Sequence, residues 1–101
     1  MMATRRVSAV HRDLYRRPFD TAELGAHDAV ILDPPRSGAL EQVRQLAAAP
    51  VARVAYVSCN PATFARDAEL LVAGGFSLDW VKPVGQFRWS THVELASAFS
   101  R

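Results

Sequence analysis

Two short apolar runs, each halted abruptly by a polar segment ending in proline, constrain this chain most. Ala29-Val30-Ile31-Leu32 stops at Asp33-Pro34-Pro35, and Val54-Ala55-Tyr56-Val57 stops at Ser58-Cys59-Asn60-Pro61. Neither run alternates apolar with polar residues. Continuous runs of this length are expected of strands covered on both faces, as in a parallel sheet. Between them, Leu40, Val43, Leu46 and Ala47 recur at helical spacing until Pro50. After the second run, Asn60 can cap a helix and Pro61 suits its first position. That helix is expected to turn Phe64, Ala68, Leu71 and Val72 to one side and to end at Gly74-Gly75.

The remaining segments extend the alternation. Val7 to Val10 reads as a short strand. Arg12 to Ala26, broken by Pro18 and Gly25, reads as loop with one helical turn. Ser77 to Val84 and Val93 to Phe99 read as two further strands, joined by Gly85 to His92. That connection is too short for a crossover helix, so the last two strands should pair antiparallel. The expected fold class is α/β, with parallel strands followed by an antiparallel hairpin. This is the pattern of the C-terminal half of a Rossmann-like methyltransferase domain.

At 101 residues the chain suits one domain. With 50% hydrophobic and 22% charged residues it is ordinary for a folded globular protein. No apolar run spans a bilayer and no signal segment opens the chain, so no membrane partner is expected. One cysteine allows no internal disulfide, which points to a reducing cytoplasm. The formal charge of +2 says little, but of 12 basic residues only Lys82 is lysine. Arginine suits phosphate and base stacking, but codon usage in a G- and C-rich genome is the simpler explanation of the bias.

In an open α/β sheet, ligands bind beyond the carboxyl ends of the parallel strands. Asp33 and Cys59 fall there. Glu94 begins the last, antiparallel strand and so reaches the same rim. Cys59 precedes a helix start, where unpaired N–H groups and the helix dipole favour an anion such as a thiolate. A small buried cysteine at a strand end explains the position as well. Asp33 could contact a ligand or merely cap its turn. A carboxylate such as Glu94 at the head of an apolar strand is unexpected unless paired or functional. One Cys and His92 make no metal site, and zinc is rejected.

Taken together, Asp33-Pro34-Pro35-Arg36 with Gly38, Tyr56-Val57-Ser58-Cys59-Asn60-Pro61-Ala62-Thr63 with Ala65-Arg66-Asp67, Gln86-Phe87 and His92-Val93-Glu94 resemble the RNA 5-methyluridine methyltransferases. That family includes S-adenosylmethionine-dependent uracil methyltransferases of tRNA and 23S rRNA. The resemblance runs from about Val7 to Arg101. It implies that Cys59 is the nucleophile adding to carbon 6 of uracil, and that Glu94 is the base that removes the carbon 5 proton. It also implies that Asp33 lies near cofactor and target base, and Asp13 near the adenine part of the cofactor. RNA, as tRNA or rRNA, is the implied partner.

There are departures from the family pattern. Gly85 and Arg88 stand where it has Asp and Pro. The glycine-rich cofactor loop, the ribose-binding acid and the amino-terminal RNA-binding domain have no counterpart here. Residues 1–101 are therefore expected to be a partial catalytic domain, from the third strand onward, and inactive alone. Self-association is expected at an unpaired sheet edge, the Val7 strand. A non-enzymatic half-domain that pairs with another chain, or grips RNA through Arg, Phe87 and Trp89, is the alternative reading. An amino-methyltransferase of the Asp-Pro-Pro-Tyr type fits less well, because Arg36 replaces the stacking aromatic and that chemistry has no use for Cys59.

Overall fold

The computed structural model describes residues 9–85 and 94–101, and the statements that follow concern those residues. The elements run α1 (Thr21–Leu24), β1 (Ala29–Leu32), α2 (Leu40–Ala48), β2 (Arg53–Ser58), α3 (Pro61–Ala73), β3 (Ser77–Val84) and β4 (Glu94–Ser100). Local chemistry accounts for most of these boundaries. Asp20 and Glu23 form a reciprocal capping box at α1. The Asn60 side chain accepts from the Ala62 N–H, and Pro61 occupies the first turn of α3. Gly74 and Gly75, the latter at φ +104°, end that helix.

The four strands form one sheet in the order β1-β2-β4-β3. β1 pairs parallel with β2, Leu32 opposite Tyr56. β4 lies antiparallel between β2 and β3. The crossovers through α2 and α3 both advance in the same direction across the sheet. Right-handed connections therefore put both helices on one face, and α2 packs against α3. Val54 and Tyr56 of β2 and Phe99 of β4 point into that layer, where they meet Val43, Leu46, Phe64 and Leu71. Tyr56, Phe64 and Phe99 stack their rings in sequence, the first pair edge-on at 5.5 Å and the second tilted at 6.4 Å. Arg101, just past β4, lies over the Phe76 ring and donates to the carbonyls of Leu46, Ala47 and Ala49 at the end of α2, and to those of Val51 and Gly74.

Three expectations need correction. β1 is not covered on both faces: Leu32 is buried, but Ile31 is 77% exposed. Both longer helices occupy the other side, which leaves Ile31 exposed at the wall of a cleft. The expected strand at Val7 to Val10 is not the sheet edge. Ala9 and Val10 are exposed and outside any strand, Val7 and Ser8 lie outside the described residues, and β1 itself forms the edge. On α3, Val72 is half exposed, and the stripe through Phe64, Ala68 and Leu71 instead includes Asp67, with no exposed surface. The Arg12–Ala26 loop with its single helical turn, both longer helices and the last two strands fall where expected. No described helix is long and apolar enough to cross a membrane.

Candidate active site

Asp33, Cys59 and Glu94 follow from strand ends. Asp33 is the residue after β1, and it is exposed. Cys59 is the residue after β2 and is half-buried. Glu94 opens β4, exposed, opposite Val84. Ser58 pairs with Leu95 at the last step of the β2–β4 ladder, and Cys59 and Glu94 are the residues that adjoin that step on the two strands. All three thus share one rim of the sheet. Asp13 is distant in sequence, but together with Asp33 it lines a cleft of about 380 Å³ walled by Tyr15, Ile31, Leu32 and Pro34. That size suits a nucleoside-sized ligand. Cys59 and Glu94 do not line this cleft. His92 and the segment Gln86 to Trp89 lie outside the described residues.

The segment between Asp33 and α2 is held in place almost residue by residue. Arg36 offers its carbonyl to Asn60 Nδ2 at 3.0 Å and to Thr63 Oγ1 at 2.9 Å. The Ser37 carbonyl accepts from Arg66 Nη2 at 3.0 Å. The Gly38 carbonyl accepts from the Tyr15 hydroxyl, which also meets Ser37 Oγ at 2.7 Å. Ala39 donates its N–H to Asp67 Oδ2 at 2.8 Å. Gly38 sits at φ +79°, and a Cβ there would come within 2.6 Å of Arg66 Nη2 and 2.8 Å of Asp67 Oδ2. Glycine is required twice over, for the backbone angle and for the space.

On the other side, Ser58 Oγ donates to the Asn60 carbonyl and accepts the Asn60 N–H, both at 3.0 Å, which fixes the turn that carries Cys59. Tyr56, beneath it, donates to Asp67 Oδ2 at 2.5 Å. Burial raises the Tyr56 hydroxyl far above its ordinary pKa, and the Asp67 hydrogen bond and charge add to that. Near Asp13, Arg12 is gripped by both Glu23 carboxylate oxygens and by the carbonyls of Arg17 and Pro18. The hydrogen bond from Arg12 holds the Glu23 carboxyl below its usual range. Gln42, also buried, pairs its amide with both backbone groups of Phe19, which lies under the Arg12 guanidinium.

Two groups escaped the sequence reading, Asp67 and Gln42. Each sits on the buried stripe of its helix, where helical spacing predicts an apolar residue. That mismatch of spacing and residue type was the available signal. No group of three or more candidate metal ligands occurs among the described residues.

The chain is similar to known RNA methyltransferases. The family model for tRNA (uracil-5-)-methyltransferase matches residues 11–101. An uncharacterised RNA methyltransferase of Zymomonas mobilis is 55% identical over 99% of this chain and 25% of its own length. A 23S rRNA (uracil(1939)-C(5))-methyltransferase of Acidithiobacillus ferrooxidans is 49% identical over 84% of this chain and 19% of its own length. The crystal structure of Pyrococcus abyssi tRNA (uracil-54, C5)-methyltransferase in complex with S-adenosyl-L-homocysteine superposes with a TM-score of 0.62 at 38% identity. That match covers 71% of this chain and 18% of the other. The chain spans about a quarter of the length of the curated relatives it matches first. The Rossmann-like methyltransferase reading of the fold is borne out. With the family model spanning everything from His11 to the last residue, and the Asp33 and Cys59 motifs standing at the strand ends where a sheet of this kind binds ligands, the chain belongs to the tRNA (uracil-5-)-methyltransferase family.

Proposed function

We propose that the whole protein methylates carbon 5 of a uridine in tRNA or rRNA, with Cys59 as nucleophile and Glu94 as base. One observation supports the reading most: within a chain of this family, the only cysteine and a rim glutamate each adjoin the last paired step, Ser58 with Leu95, of the β2–β4 ladder. Carbon 5 of uracil is a weak nucleophile. Addition of the Cys59 thiolate to carbon 6 leaves an enolate whose electrons are available at carbon 5. S-adenosylmethionine, when bound, would supply an electrophilic methyl group, the carbon 5–methyl bond forming as the methyl–sulfonium bond breaks and S-adenosylhomocysteine leaves. Glu94 then accepts the proton from carbon 5. The carbon 5–carbon 6 double bond re-forms and the carbon–sulfur bond breaks, returning the thiolate to Cys59. Covalent catalysis of this kind divides one difficult step into easier ones, and removal of the carbon 5 proton by the base lets the cysteine leave.

The surroundings suit these roles. Cys59 stands at the entry to a thirteen-residue helix, whose dipole favours an anion. The Asp13 and Asp33 carboxylates line one cleft with apolar walls, which fits the hydroxyl and amino donors and the positive sulfonium of S-adenosylmethionine. The sequence contains no G-x-G-x-x-G run, its five glycines being Gly25, Gly38, Gly74, Gly75 and Gly85. The chain alone is therefore expected to bind S-adenosylmethionine weakly or not at all. Calorimetric titration checks this, and micromolar affinity would contradict it. In the whole protein, Cys59→Ala is expected to abolish methyl transfer to RNA; turnover at the unsubstituted rate would remove Cys59 from the mechanism.

A further inference from the structure

The deepest polar cluster has no part in that mechanism. Asp67 has no exposed surface, yet it occupies the packed stripe of α3. A buried carboxylate is costly unless its hydrogen bonds are met, and here they are met by the segment beside the site. Oδ2 accepts from the Ala39 N–H at 2.8 Å and from the Tyr56 hydroxyl at 2.5 Å, and Oδ1 accepts from Arg66 Nε at 3.1 Å. Ala39 is the cap residue of α2 and has no side chain able to cap it. A carboxylate from another helix takes that place, with its charge at the favourable end of the α2 dipole. Arg66 continues to the Ser37 carbonyl, and Thr63 and Asn60 hold the Arg36 carbonyl. Asp33 lies three residues before Arg36, and Cys59 one residue before Asn60. The two rim groups thus hang from opposite ends of one clamp.

We propose that Asp67 is a positioning residue of the methylation reaction: its buried carboxylate locks residues 33–39 to the first turns of α3 and so fixes Asp33 relative to Cys59. It touches neither RNA nor cofactor. The inference rests on the reading of Cys59 as nucleophile. It separates two effects that a buried network usually mixes. Tyr56 supports Asp67 from below and meets the segment only at the Ala39 backbone, whereas Asp67 is bonded to both Ala39 and Arg66, so loss of Tyr56 is expected to cost mainly stability. Asp67 bonds the segment directly, so its loss also displaces a reacting group, and misplacement of about 1 Å can cost about 100-fold in rate.

The test is steady-state methylation of a uridine-containing RNA by the whole protein, with kcat expressed per folded molecule and thermal melting followed in parallel. Asp67→Asn is expected to lower kcat by about 10- to 100-fold with KM for RNA unchanged. Tyr56→Phe is expected to lower Tm and to reduce kcat much less than Asp67→Asn does. Should Asp67→Asn not fold, Thr63→Val keeps the side-chain shape and removes the bond to the Arg36 carbonyl together with the longer one to the Asn60 carbonyl within α3's own first turn. It is expected to lower kcat severalfold with Tm unchanged. Unchanged kcat per folded molecule in Asp67→Asn, or in Thr63→Val if that variant must stand in, overturns the proposal. Cys59→Ala measured alongside distinguishes the failures. If it is inactive, only the positioning role falls; if it is active, the nucleophile assignment falls and takes the positioning role with it.

Discussion

The two faces of the sheet are made by the same four strands and have opposite surroundings. One side carries α2 and α3 and buries Val54, Tyr56 and Phe99 almost completely. The other presents Ile31, Arg53, Trp80 and Ala98 around a shallow hollow. Strand alternation alone decides which residue meets which environment, since neighbours in sequence point to opposite sides. The comparison teaches where precision can reside. On the covered side, close packing and a satisfied polar cluster can hold the Asp33 segment to α3. The bare side offers no such support among the described residues, so its residues should matter far less to the stability of this chain.

Substitutions on the two sides should separate widely. Phe99→Ala removes a ring that packs on Phe64 and leaves a cavity in the covered layer. It is expected to cost about 3–5 kcal/mol, read from urea unfolding of the chain. A loss near that of an ordinary surface change would mean that the covered layer is not the core. Ile31→Ala, on the bare side of the edge strand, is expected to change stability by no more than about 0.5 kcal/mol. A loss comparable with that of Phe99→Ala would show that something covers Ile31, a second copy being one source, and a dependence of the loss on protein concentration would identify it.

Much of the fold was legible because its signals are local. The runs at Ala29 and Val54 end at proline-bearing segments, Asn60-Pro61 starts a helix, and Gly74-Gly75 ends it. The antiparallel pairing of the last two strands followed from the length of their connection. The insertion of β4 between β2 and β3 did not, because the choice of partner strand depends on contacts remote in sequence. Of the expected Val7 strand, Ala9 and Val10 lie outside any strand although β1 presents an open edge, and Val7 and Ser8 lie outside the described residues. The apolar run of β1 was read as doubly covered, although a run of this kind cannot say how many layers a chain supplies.

The rim residues were legible through topology, which brings Asp33, Cys59 and Glu94 to one edge without knowledge of any contact. Asp67 was not. Its spacing declared it core and its charge declared it surface, and the conflict resolves only through Tyr56 and Ala39, which stand 11 and 28 residues away. The Arg66-Asp67 pair entered the sequence reading as part of a resemblance. The structure gives it physical content as the fastening of a neighbouring segment.

The most direct measurement of the central claim uses the intermediate that Cys59 and Glu94 should share. In the whole protein, Glu94→Gln leaves the nucleophile in place and removes the base. Incubated with RNA and S-adenosylmethionine and run on a denaturing gel, this variant is expected to accumulate a covalent protein–RNA adduct, absent when Cys59→Ala is added to it. A Glu94→Gln protein that turns over normally, or that forms no adduct while still folded and binding RNA, would contradict the assignment of Cys59 and Glu94 as nucleophile and base.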